Sequence, residues 1–250
     1  MISVIASREL RGLFLSPLAW SVLGVLQLIL AWLFLIQVDT FLQVQPRLAG
    51  IEGAPGLTDL VATPMMGAAA TFIMLLIPLL SMRLLSDEFR NGTFSLLLTA
   101  PISMSQIVLG KYLGILGFLV IAVALILLMP LSLLLGGSLD WGKLVAAVMG
   151  LLLVSASFAA IGLFISSLTA QPAVAAIGTY GSLLFFWIIS LAAGSGEQGG
   201  QFFNWLSLQT HYESMMKGLI RSSDLVFYTL VIAAFLLLTI RRLDNLRTEA

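Results

Sequence analysis

An all-α protein that crosses a membrane six times is the fold class this sequence predicts, and three observations predict it. The chain is 60% hydrophobic and only 10% charged, whereas soluble domains carry about a quarter of their residues as charges. Apolar runs close to twenty residues long recur along it, and that length of helix crosses a hydrocarbon core of about 30 Å. Lysine and arginine collect on one side of those runs. No stretch is long and polar enough to make a soluble domain, so residues 1–250 read as a single membrane domain. A formal net charge of zero points to no nucleic-acid partner, and the absence of cysteine excludes disulfides and cysteine-ligated metals.

In chain order, Ile2, Ile5, Ala6, Leu10 and Leu13 share one helical face while Ser3, Ser7, Arg8 and Arg11 fall largely on another, the pattern of a helix lying in the interface. The other reading of this segment, the charged start of a signal peptide, meets an apolar run that is too long and lacks a convincing small-residue cleavage site. The first span covers about Pro17 to Ile36, with Trp20 and Trp32 near the interfaces. Asp39 to Leu60 carries Pro46, Gly50, Gly53, Pro55 and Gly56 and reads as an external loop. The second span, about Thr63 to Met82, contains Pro78, which removes one helical hydrogen bond and kinks the helix. A gate is one use for the kink, and the general tolerance of proline in membrane helices is the other.

Between Leu84 and Lys111 lies a charged, turn-rich island. Asp87, Glu88 and Arg90 return the chain to water, because each charge costs about 2.5 to 3.5 kcal/mol at the centre of a spanning helix. Asn91 and Gly92 turn the chain, Thr93 caps a short apolar helix over Thr93 to Thr99, and Pro101 stops it. Ser103 with Gln106 forms a capping box for the next helix. The pattern is a surface helix held between two spans.

Glu88, Gly92, Thr93, Leu97, Leu98, Pro101, Ile102 and Ser103, followed by Leu109, Gly110 and Lys111, form the series E-x-x-x-G-T-x-x-x-L-L-x-x-P-I-S with a later L-G-K. This resembles the signature of ABC transporter permeases of the type-2 export class. The resemblance implies that the loop between the second and third spans holds a cytoplasmic coupling helix that seats in a cleft of a separate ATPase subunit. It assigns this contact to Asp87, Glu88, Arg90, Gly92, Thr93, Phe94, Leu97, Leu98 and Pro101. Phe94, Leu97 and Leu98 would be the apolar anchors, with Glu88 and Arg90 setting orientation by charge.

The third span covers about Ile107 to Leu135, the fourth about Lys143 to Leu168 and the fifth about Ala173 to Ala193. A tight external turn at Gly136 to Gly142 joins the third and fourth, and Ser166 to Pro172 is a short uncharged turn. The fourth span is rich in Gly, Ala and Ser, which lets neighbouring helices approach closely. Leu208, Tyr212, Met215, Met216 and Leu219 then recur at helical spacing opposite Gln209, Glu213 and Lys217, predicting an external amphipathic helix between the fifth and sixth spans. The order L-S-x-x-x-H-x-E-S-x-x-x-G-x-I-x-x-x-D over Leu206 to Asp224 resembles gliding-motility-like members of the same family. The sixth span is about Leu225 to Ile240.

With both termini inside, Arg8, Arg11, Arg83, Arg90, Lys111, Arg241, Arg242 and Arg247 fall on the cytoplasmic side and Arg47, Lys143, Lys217 and Arg221 outside, eight against four of the twelve basic residues. No phosphate-binding loop is present, so the chain is not an enzyme in its own right and binds no cofactor; the resemblance puts ATP and Mg on the partner ATPase. The single histidine, His211, has no second histidine or cysteine to join it in a metal site. Glu197 and Glu213 read as solvated surface. The function expected is therefore the permease subunit of an ATP-driven exporter in a bacterial cytoplasmic (inner) membrane. Its expected partners are two ATPase subunits, a second permease subunit, identical or related, and the lipid bilayer, with accessory or substrate-binding proteins allowed. A secondary transporter or a non-transporting assembly factor are the alternatives. Gln27, Gln37, Ser21, Thr71 and Thr179 are scattered polar groups that suit either an amphipathic cargo or ordinary helix packing.

Overall fold

Hydrocarbon leaves a backbone no partner but itself, so each long apolar run closes its hydrogen bonds as helix. The computed structural model describes residues 1–48, 55–94, 102–193 and 204–249, and among them there is helix and no strand. Helix α1 is Ile2–Leu15, α2 is Pro17–Leu48, α3 is Thr63–Ser81 with a π-helical turn at Thr58–Ala62 before it, and α4 is Ser86–Arg90. Helix α5 is Met104–Ser132, α6 is Trp141–Ser166, α7 is Pro172–Ala193, α8 is Leu208–Met216 and α9 is Ser222–Glu249. Helices α2, α3, α5, α6, α7 and α9 supply six segments long and apolar enough to span.

Two of the spanning helices open on side-chain caps. Ser103 Oγ accepts from the Gln106 N–H at 3.3 Å to open α5, and Asp140 Oδ1 accepts from the Lys143 N–H at 3.1 Å to open α6. Two ends differ from expectation. Asp39 to Arg47 continues α2 as helix, in place of the first part of the external loop. Its polar side chains bond along their own helix, Thr40 Oγ1 to the Ile36 carbonyl and Gln43 Nε2 to Asp39 Oδ2, both at 2.8 Å. The last helix likewise runs past Arg241 and Arg242 as far as Glu249. Polarity marks where hydrocarbon stops, and helix continues past that point while the backbone stays bonded.

Helix α6 is the hub. Of its most apolar window 72% is buried, against 28% for α2, α7 and α9. Its small residues explain the difference: a Cβ on Gly162 would lie 2.7 Å from Ser81 Cβ, and one on Gly150 would lie 3.0 Å from both Tyr212 and Met215. Ser155 and Ser157 donate to the Leu151 and Leu153 carbonyls of α6 itself, so they pack without leaving an unmet hydroxyl. Ser21, Thr71 and Thr179 are satisfied in the same way by Leu18, Gly67 and Ala175. That is the packing reading of those three residues. Pro78 lies within α3 and is buried, and near it the Tyr180 hydroxyl of α7 donates to the Leu75 carbonyl.

Candidate functional site

The island is built from the end of α3 to the start of α5. Past Ser81 the chain tightens and starts α4, whose first N–H groups have no helical partner of their own. Ser166, the last residue of α6, meets that need: its Oγ accepts from the Leu85 and Ser86 N–H groups at 3.1 and 3.2 Å and donates to the Met82 carbonyl at 3.1 Å. The turn between α6 and α7, unremarkable in the sequence, is thereby joined to the island. Helix α4 is followed by Gly92, whose φ of +68° lies in the left-handed region that glycine tolerates. Open space surrounds its missing Cβ, so backbone conformation and not crowding calls for glycine there.

Glu88 faces inward. Lys111 Nζ on α5 lies 2.8 Å from Glu88 Oε1 and 3.0 Å from Glu9 Oε1 on α1. The lysine side chain is 3% exposed and the two carboxylates 14% and 17%, so the triad is sheltered from water. Arg8, 70% exposed and 3.9 Å from Glu88, adds little. Within the chain Glu88 is thus a tie between three elements.

Helix α1 lies against α5 on a row of glycines. A Cβ on Gly110 would stand 2.7 Å from Ile5 Cβ, one on Gly114 2.6 Å from Glu9 Cβ, and one on Gly117 3.3 Å from Leu10. The row Gly110, Gly114, Gly117 is visible in the sequence at helical spacing, yet the motif draws attention to Gly110 and Lys111 alone. Trp20 Nε1 donates to the Phe14 carbonyl at 2.8 Å and holds the joint between α1 and α2.

The remaining island residues divide. Asp87, Arg90 and Thr93 take no part in the triad, and Thr93 Oγ1 sits 3.4 Å from the Glu88 carbonyl. Phe94, one of the three expected apolar anchors, is 7% exposed, its ring 4.6 Å from that of Phe89. Leu97, Leu98 and Pro101, with most of the Thr93 to Thr99 helix, lie outside the described residues, as does Glu197.

Residues 4–245 match the family described as ABC-2 family transporter protein. The chain belongs to that family. No curated protein matches it. In this ABC-2 protein the signature residues acquire physical roles: Glu88 and Lys111 form one ion pair, Gly110 makes room for Ile5, and Gly92 turns the chain.

The second motif of this ABC-2 chain is equally local in sequence and joined in space, on the opposite end of the bundle. Ser207 Oγ accepts from the Thr210 N–H at 3.1 Å and starts α8. His211 Nδ1 lies 2.7 Å from Asp224 Oδ1, Ser214 donates to Asp224 Oδ2 at 2.8 Å, and Gly218, at φ +81°, turns the chain toward α9. His211, expected as a polar surface position, is thus a structural partner of Asp224, stacked on Phe227 at 4.1 Å. Tyr212 donates to the Met66 carbonyl at 2.8 Å, and burial pushes its phenol well above the usual range. Lys143 pairs with Asp59 at 2.7 Å on the same end.

Proposed function

We propose that this ABC-2 protein is the permease subunit of an ATP-driven exporter, working as one of a pair of permeases on a pair of ATPases that bind ATP and Mg. The observation that carries the reading is the triple attachment of the island: to α1 and α5 through Glu9, Glu88 and Lys111, and to α6 through Ser166. A push on an element tied this way displaces the ends of several spans together. Leu97 and Leu98 supply the apolar anchor for the ATPase, with Phe94 bracing the helix from inside and Pro101 ending it. The His211 and Asp224 corner supports a gliding-motility-like subtype, because it gives His211, Ser214 and Asp224 mutual hydrogen bonds, Ser207 a cap and Gly218 a turn to make. We place the chain in a bacterial inner membrane with both termini cytoplasmic.

Copurification of an ATPase subunit with the intact chain tests the assignment; isolation of a transport-active particle free of any ATPase would sink it. Topology is tested separately, since the chain has no native cysteine. Ser3→Cys, Gly92→Cys and Thr248→Cys are expected to be shielded from an impermeant thiol reagent in intact cells, and Gly53→Cys, Gly137→Cys and Gly199→Cys to react. Labelling of Gly92→Cys from outside reverses the orientation and removes the coupling reading.

Gly92→Val places a β-branched residue at φ +68°, at a local cost of about 1 to 2 kcal/mol. The expected result is an ATPase that still binds but whose hydrolysis no longer drives transport. Parent-like coupling in this variant would show that the turn does not aim the helix.

A further inference from the structure

A cavity of about 830 Å³ opens beside the island, between the end of α3 and the start of α7, lined by Met82, Arg83, Asp87, Arg90, Asn91 and Gln171 with the first residues of α7. Among the described residues neither guanidinium has a hydrogen-bond or ion-pair partner, and the Asp87 carboxylate has none either. Close by, Glu9, Glu88 and Lys111 are joined instead as an ion-paired triad. Depth sets the character of the cavity. Arg83 is the first charge after the apolar run of α3, and Pro172 and Ala173 are the first residues of the apolar run of α7. The opening therefore lies where hydrocarbon gives way to headgroups. Below it, the exposed side chains Leu75 on α3 and Ile177 on α7 continue as an apolar face.

We propose that this cavity binds the headgroup of an anionic phospholipid of the phosphatidylglycerol type. Arg83 and Arg90 take the phosphodiester, guanidinium forks being matched to phosphate oxygens. Asp87 accepts from the glycerol hydroxyls, with the Asn91 and Gln171 amides beside it, and the acyl chains lie along Leu75 and Ile177. Two positive charges and one negative leave a net single positive charge in the cavity, which a singly charged phosphodiester neutralises. Basic pockets between spans on one membrane face hold anionic lipid headgroups for this reason. An acidic loop of a soluble partner would have to enter at headgroup depth, which is why the lipid is favoured. The site stands whichever partner the island engages.

The test uses the full chain, purified in detergent and offered a mixture of phosphatidylglycerol and phosphatidylcholine with the same acyl chains, with bound lipid read by native mass spectrometry. Each arginine near an anionic phosphate contributes about a five-fold preference, so the parent is expected to favour phosphatidylglycerol by about 25-fold. Arg83→Gln with Arg90→Gln should bring that within about two-fold, with the size-exclusion profile unchanged because both residues are exposed. Arg241→Gln with Arg247→Gln, at the exposed end of α9, should keep it. No preference in the parent, retention by the first pair, or an equal loss in the second pair overturns the site. Displacement of the lipid by excess soluble glycerol phosphate would reassign it to a free phosphate ligand. Absence of lipid, combined with loss of ATPase copurification in the first pair alone, would reassign it to a protein partner.

Discussion

Lys111→Met is expected to lower the stability of the chain by about 3 to 5 kcal/mol, the scale on which a sheltered ion pair fails when one member is removed. The loss comes from what stays behind. Glu9 and Glu88 would face each other with only the largely exposed Arg8 guanidinium beside them, and Glu88 Oε2 already has no hydrogen-bond partner. Replacing all three members, Glu9→Gln and Glu88→Gln with Lys111→Met, should recover most of that stability, since neutral groups of similar size remove the uncompensated charges. Coupling should not recover, because the island would no longer be tied to α1 and α5. Thermal melts in detergent report the first quantity, and nucleotide-driven transport the second. A triple variant that transports like the parent would show that the triad stabilises the fold without transmitting anything.

Leu97→Ala with Leu98→Ala is expected to leave insertion and melting temperature unchanged and to weaken ATPase association by about 2 kcal/mol or more, roughly thirty-fold or greater. A short helix seated in a cleft presents few side chains, so a small apolar anchor carries most of the contact. Pull-down of the ATPase across a concentration series measures the effect. Parent-like affinity in this variant, together with parent-like transport in Gly92→Val, would move the coupling contact away from the island.

How far the sequence reaches depends on the range of the interaction concerned. Spans are local: twenty apolar residues announce themselves, and all six segments appear where the apolar runs lie. Their ends are less legible, because Asp39, Thr40 and Gln43 look like loop residues by composition while bonding along a continuing helix. The island's turn is readable from Gly92, and the start of α5 from Ser103. Glu88 cannot be placed from its neighbours, since its direction is set by Lys111 and by a glutamate at the other end of the sequence, and no periodicity links those positions. Glu9 itself carries no local signal. The packing of Phe94 is illegible for a related reason: an apolar residue in a charged loop offers the same letters whether it faces a partner or folds back on Phe89. His211 is the opposite case, where thirteen residues separate two partners and one shared motif contains both.

The seat of α1 has a consequence for biosynthesis. Glu9 and Lys111 are 102 residues apart, so the ribosome finishes α1 long before it makes the glycine row that receives it. At about 5 to 20 residues per second, that is a wait of roughly 5 to 20 s. During it, α1 needs a resting place that neither commits it to the hydrocarbon nor releases it to aggregate. A helix with an apolar face and a polar one rests at the lipid surface for that interval. The amphipathic pattern at the start of the chain thus serves the nascent protein first, and the finished one only after α5 has arrived.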